Sequence, residues 1–146
     1  MPPAPLGLVL DTNIVVAGLL WNGKPRQLLD LAINDIIFLY SSPPLLNELV
    51  RTLGYPKFGK RLVGHATTPT ILTGQYAALA TVVTPAIIPP TVLRDTDDDA
   101  VLACALAAKA DYIISGDAHL LDLKQYQSIP IITATAMLKN ISVPKY

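Results

Sequence analysis

Four carboxylates far apart in the chain, Asp11, Glu48, Asp99 and Asp117, are the residues whose type and placement imply chemistry. Each follows or opens an element that an alternating strand–helix reading brings to the same edge of a sheet. Two carboxylates held 4 Å apart repel by about 4 kcal/mol at an effective dielectric near 20. A chain that gathers several of them normally sets a divalent cation among them, bound through oxygen. The chemistry implied is metal-assisted hydrolysis of a phosphodiester.

The elements that must position these acids can be read from apolar runs and breakers. Leu6–Leu10 is a strand running into Asp-Thr-Asn, followed by a helix over Ile14–Leu20. Trp21-Asn22-Gly23-Lys24-Pro25 breaks it, and Arg26–Asn34 forms a second helix. Ile36–Tyr40 is strand-like. Ser42 as N-cap and Pro43 at the first position then open a helix to Leu53. A short helix over Lys57–Gly64, a longer one from Thr68-Pro69 to Val83 and a short strand over Ala86–Ile88 follow. Thr96 and Asp97 can cap a helix reaching Lys109; Tyr112–Ser115 is a strand and Ala118–Leu123 a short helix. Ile129–Ile132 is the last strand and Thr133–Lys139 the last helix.

Strands alternating with helices predict a parallel sheet covered on both faces, with ligands bound outside the carboxyl ends of the strands. Asp11 lies on that edge directly, and Glu48 reaches it from the second turn of the helix after the second strand. A helix from Asp99 to Lys109 descends about 16 Å, and a strand of five residues climbs back about as far, so Asp117 returns to the level of Asp99. Taken singly, each Asp is equally at home in a turn or a cap. Glu48, the only glutamate, sits beside the apolar stripe of Leu45, Leu46, Leu49 and Leu53 and fits the plain reading least well.

Four segments carry a resemblance to a known family: Leu8-Val9-Leu10-Asp11-Thr12-Asn13, Ser42-Pro43-Pro44-Leu45-Leu46-Asn47-Glu48-Leu49, Arg94-Asp95-Thr96-Asp97-Asp98-Asp99 and Tyr112-Ile113-Ile114-Ser115-Gly116-Asp117. In order and spacing they resemble the motifs of PIN-domain ribonucleases, and more narrowly the prokaryotic toxin branch related to VapC-type toxins. The resemblance implies a three-layer α/β/α sandwich with a central parallel sheet over residues 1–146, one PIN-like nuclease domain. It further implies cleavage of single-stranded RNA with Mg²⁺ or Mn²⁺, and a small antitoxin protein as partner. It assigns Asp11, Glu48, Asp99 and Asp117 to the acidic cluster, with Thr12, Asn13 and Ser115 in support. Asp98 shares a similar helix face and stands as an alternative or additional ligand. Spacing to Asp117 favours Asp99. His119 stands where relatives often carry an acid.

Composition narrows the rest. Hydrophobic residues make up 51% and charged ones 15% of 146 residues, which excludes a disordered chain and points to a homodimer or higher homo-oligomer. No apolar run reaches the roughly 18 residues of a membrane span, and the opening Met1-Pro2-Pro3-Ala4-Pro5 is no signal peptide, so a cytoplasmic protein is expected. The lone Cys104, in an apolar run, reads as a core thiol. Eleven basic and eleven acidic residues cancel, so contacts to RNA must come from local patches. Arg51, Lys24, Arg26, Lys57, Lys60 and Arg61 are the candidates, with Arg51 first because it lies one turn beyond Glu48. Trp21, Tyr55 and Phe58 can stack on bases or be partly buried.

Two other functions put acids at strand ends. A dehalogenase-type phosphatase needs Asp two residues after its nucleophile, where this chain has Asn13, and a receiver domain needs a lysine that Ile131-Ile132-Thr133-Ala134 does not supply. A PIN-like module that binds without cutting is the third reading.

Overall fold

The computed structural model describes residues 5–92 and 96–141, with the Thr96 side chain left aside. The proline-rich opening and, in the third motif, Arg94 and Asp95 lie outside the described residues. Strand β1 (Leu6–Leu10) leads straight into helix α1 (Thr12–Leu20), because the Asp11 side chain accepts from the Thr12 N–H and caps the helix at once. Helix α2 (Lys24–Ile33) follows, then β2 (Ile37–Ser41) and α3 (Pro43–Leu53). A single 3₁₀ turn (Pro56–Phe58) precedes α4 (Gly59–Gly64) and α5 (Pro69–Leu79). Strand β3 (Thr81–Val82), α6 (Thr96–Ala108), β4 (Tyr112–Ile114) and α7 (Ala118–Leu123) come next. The described chain closes with β5 (Gln125–Tyr126), β6 (Ile129–Ile132) and α8 (Ala134–Ile141).

The strands form one sheet in the order β3-β2-β1-β4-β6-β5. All pair in parallel except β5, which runs antiparallel to β6 at one edge. Helices flank the sheet, so the architecture is the expected α/β sandwich with a mostly parallel sheet. Two apolar clusters fill it. One joins β1, β2, α1, α2, α3 and α8 around Leu8, Leu20, Leu28, Leu39, Leu53 and Met137. The other joins α6, β4 and α7 around Val101, Leu102, Ile113 and Leu120. Cys104 is fully buried in the second, and loss of hydration pushes its thiol up to about 11, against a lowering by the Ser42 hydroxyl. At neutral pH it is a core thiol, not a nucleophile.

Three segments differ from the sequence expectation. The helix predicted to reach Val83 stops at Leu79, since the β-branched Thr81 and Val82 pair with Tyr40 and Ser41 instead. Ala86–Ile88 is no strand; the Ala86 N–H donates to the Ala103 carbonyl, so this segment rests on α6 rather than in the sheet. Strand β5 was not foreseen, because its two-residue turn is Gln127-Ser128, both at positive φ (48° and 67°), without the Gly or Asn that marks such turns.

Helices α1 and α2 pack closely at Gly18. A Cβ there would lie 2.9 Å from Leu29 Cδ1 and 3.1 Å from the Pro25 carbonyl oxygen. Gly18→Val should therefore lower stability by about 2 kcal/mol through overpacking, read as an earlier denaturant midpoint at unchanged slope.

Candidate active site

The chain lays β1 in the middle of the sheet, adds β2 and β3 on one side, then crosses to β4 and β6 on the other. The strand order therefore reverses between β1 and β4, and the crevice outside their carboxyl ends is where ligands bind in such sheets. Leu10 pairs with Ile114, so the next residues of both strands, Asp11 and Ser115, stand side by side at that crevice.

Asp11 is only 6% exposed, and its carboxylate is held from two directions. Oδ1 accepts from the Thr12 N–H at 2.8 Å, and Oδ2 accepts from the Ser115 hydroxyl at 2.8 Å. Ser115, fully buried, also accepts at Oγ from the Asp117 N–H at 2.9 Å. Asp117 in turn caps α7, accepting from the His119 N–H at 2.7 Å. One hydroxyl thus links the Asp11 carboxylate, just after β1, to the Asp117 backbone, just after β4, and it fixes the orientation of the Asp11 carboxylate. Thr12 is buried behind Asp11, whereas Asn13 is exposed at the mouth.

Glu48 lies on α3, and Asp97, Asp98 and Asp99 lie in the first turn of α6. Helix α3 packs on α1 and on α6, and α6 packs on β1. Arg51, one turn after Glu48, binds Asp97 at 3.1 Å and pins the start of α6 to α3. Glu48 Oε2 and Asp98 Oδ2 are both buried atoms, and Asp98 as a residue is 4% exposed. Asp99 is engaged elsewhere. Its Oδ1 accepts from the Val92 N–H at 2.7 Å, and both its oxygens lie within 3.1–3.2 Å of the Thr91 N–H. The structure thus joins Asp11, Ser115 and Asp117 by hydrogen bonds, sets Glu48 and Asp98 on neighbouring helices, and gives Asp99 to the 91–92 backbone.

Helix phase does not separate the two. Asp98 lies three and four residues before Val101 and Leu102, and Asp99 three and four before Leu102 and Ala103, all of them buried. Spacing to Asp117, the criterion that favoured Asp99, cannot separate adjacent residues.

Among the described residues no three acidic, histidine or cysteine side chains stand close enough to grip one ion. Magnesium does not require three. It keeps several waters and is held through one or two carboxylates plus a substrate phosphate. The donors here are all hard oxygens, without the sulfur or imidazole that would favour zinc, so the residues present fit Mg²⁺ or Mn²⁺.

Of the basic candidates, Arg26 pairs with Asp30 along α2 at 3.2 Å and Arg51 with Asp97; both pairs are exposed and of small energetic weight. Lys24, Lys57, Lys60 and Arg61 are exposed, and Trp21 and Tyr55 keep 42% and 44% of their surface in solvent.

A PIN-domain family model matches residues 7–119, which include Asp11, Glu48, Asp98, Asp99 and Asp117. This chain belongs to the PIN-domain family. An uncharacterized protein of Methanocaldococcus jannaschii, MJ1680, is similar to this PIN domain at 33% identity over 118 residues, 80% of this chain and 74% of the relative. The fold is also similar to a chain in the crystal structure of VapBC2 from Rickettsia felis bound to a DNA fragment from their promoter. That match has a TM-score of 0.56 at 14% identity and covers 86% of this chain and 97% of the other.

Proposed function

We propose that this PIN domain is a metal-dependent endoribonuclease that cuts single-stranded RNA. The observation that carries the proposal is the buried Asp11 carboxylate held by the buried Ser115 hydroxyl, which also accepts from the Asp117 backbone N–H, at the point where the strand order reverses. A buried carboxylate held in one orientation by a buried hydroxyl suits an ion ligand better than a turn residue, because a charge is costly to bury for structural ends alone.

Asp11 and Asp98 would hold a Mg²⁺ or Mn²⁺ ion, with Asp117 and Glu48 as further carboxylates of the site. Such an ion supplies an activated water and neutralises charge developing on the phosphate. Ser115 keeps Asp11 turned toward the crevice. Glu48 would orient the attacking water and take its proton, a role suited to a half-buried carboxylate. Thr12 donates its backbone N–H to Asp11 and so helps satisfy the buried charge. The family also suggests the toxin of a toxin–antitoxin pair, acting as a homodimer with a small antitoxin bound. No helix among the described residues is long and apolar enough to cross a membrane.

Purified protein incubated with single-stranded RNA should cut it in Mg²⁺ or Mn²⁺, stop in chelator and resume when the metal is restored. Binding of RNA without cutting under either of these ions would replace the enzyme by the non-catalytic module.

A further inference from the structure

A second feature lies at the far end of α1, where Trp21 packs edge-on against Phe58 with ring centroids 6.0 Å apart. The Arg61 guanidinium lies over the Trp21 ring at 5.0 Å, and its Nε donates to the Leu20 carbonyl at 2.7 Å. The Lys57 ammonium lies over the Phe58 ring at 5.1 Å. Lys60, Arg61, Gly64 and His65 line a surface hollow of about 390 Å³, and a smaller one of about 60 Å³ joins His65 and Arg61 to Trp21 and Asn22.

This cluster is cationic without compensation. The sequence has no acid between Glu48 and Asp95, and Lys57 and Lys60 have no carboxylate within salt-bridge range among the described residues. Several like charges on one short segment repel and exposed aromatic surface carries a hydration cost, both set against the ring contacts and the Arg61 hydrogen bond. Lys57, Lys60 and Arg61 are exposed to solvent, and the indole of Trp21 keeps 42% of its surface open. Phosphates plus bases satisfy both at once, and a single strand alone presents both together.

The cluster lies one helix length from the crevice. Trp21 follows the last residue of α1, about 14 Å along the axis from Asp11. Along α3, Arg51 lies one turn from Glu48, and Tyr55 and Lys57 follow where that helix ends. We propose that the 3₁₀ turn and α4, with Trp21, form a docking site for single-stranded RNA that holds the strand's phosphates and bases a few nucleotides from the scissile bond. The inference rests on the reading of RNA as substrate.

The test is the salt dependence of binding of a 5′-labelled 12-nucleotide oligouridine, read by fluorescence anisotropy in the Asp11→Asn background to prevent cutting. The double variant Lys57→Gln/Lys60→Gln should bind roughly tenfold more weakly at low salt, and the slope of log K against log[salt] should flatten by about 1.4, or ~0.7 for each lost phosphate contact. Lys109→Gln/Lys124→Gln, exposed residues elsewhere on the surface, should leave the slope unchanged. Equal slopes in parent and Lys57/Lys60 variant, equal losses in both double variants, or no binding of the oligonucleotide by the parent would each overturn the proposal. A flattened slope in a protein whose parent never cuts RNA would keep this site and refute the hydrolase. Cutting by the parent with an unchanged slope would do the reverse.

Discussion

Asp11→Asn should reduce metal-dependent RNA cleavage by on the order of 10³-fold or more, the scale seen when one member of a catalytic unit is lost. The same change should leave the fold nearly untouched. Asparagine caps helices about as well as aspartate, so the bond from the Thr12 N–H to the side chain survives. A hydroxyl can accept from an amide as readily as it donates to a carboxylate, so Ser115 can keep its contact by turning its proton. What the variant loses is the negative charge. Thermal unfolding within a few degrees of the parent, together with lost cleavage, is the expected pair of results, and equal cleavage by variant and parent would expose a contaminant.

Asp98 and Asp99, adjacent on α6, should behave as opposites. Asp98→Asn removes a buried charge at the crevice and should lower cleavage by about a hundredfold or more, as expected for a group that stabilises the transition state, with little change in stability. Asp99→Ala should leave the cleavage rate near that of the parent. It should instead cost roughly 1–2 kcal/mol of stability, because the N–H groups of Thr91 and Val92 lose their shared acceptor in a half-buried setting. Urea midpoints and initial cleavage rates on the two variants give both readouts. A loss of cleavage confined to Asp99→Ala would return the ligand role to that residue.

That pair shows where the sequence stops being legible. The strands that carry the site were readable because β1, β4 and β6 are short apolar runs bounded by polar turns, and the helices because Pro43 and Pro69 mark their starts. Asp11 and Ser115 meet because β1 and β4 are parallel neighbours in register and end together, a pairing that apolar runs do not reveal. Strand β3 was not readable. Two residues cannot show a period, and their pairing with β2 is a tertiary event that overrides a helical continuation. The fate of Asp99 was hidden for a similar reason. Its partners are backbone groups at 91 and 92, in a segment with no regular structure, and only the folded chain brings those amides under its carboxylate.

Ser42 gives a smaller instance. It stands at the N-cap of α3 as the sequence predicts, yet its side chain makes no capping bond; the hydroxyl is buried beside Cys104. Pro43 and Pro44 lack an N–H, so the first two positions of the helix have nothing to be capped, and the hydroxyl is free to turn inward.

Calorimetric titration of Mn²⁺ into the parent, Asp11→Asn, Asp98→Asn and Asp99→Ala tests the ion-holding role of the crevice without relying on any substrate. Saturable binding by the parent and by Asp99→Ala, weakened at least tenfold in Asp11→Asn and Asp98→Asn, is the predicted result. Equal affinity in all four proteins, or no binding by the parent, would contradict it.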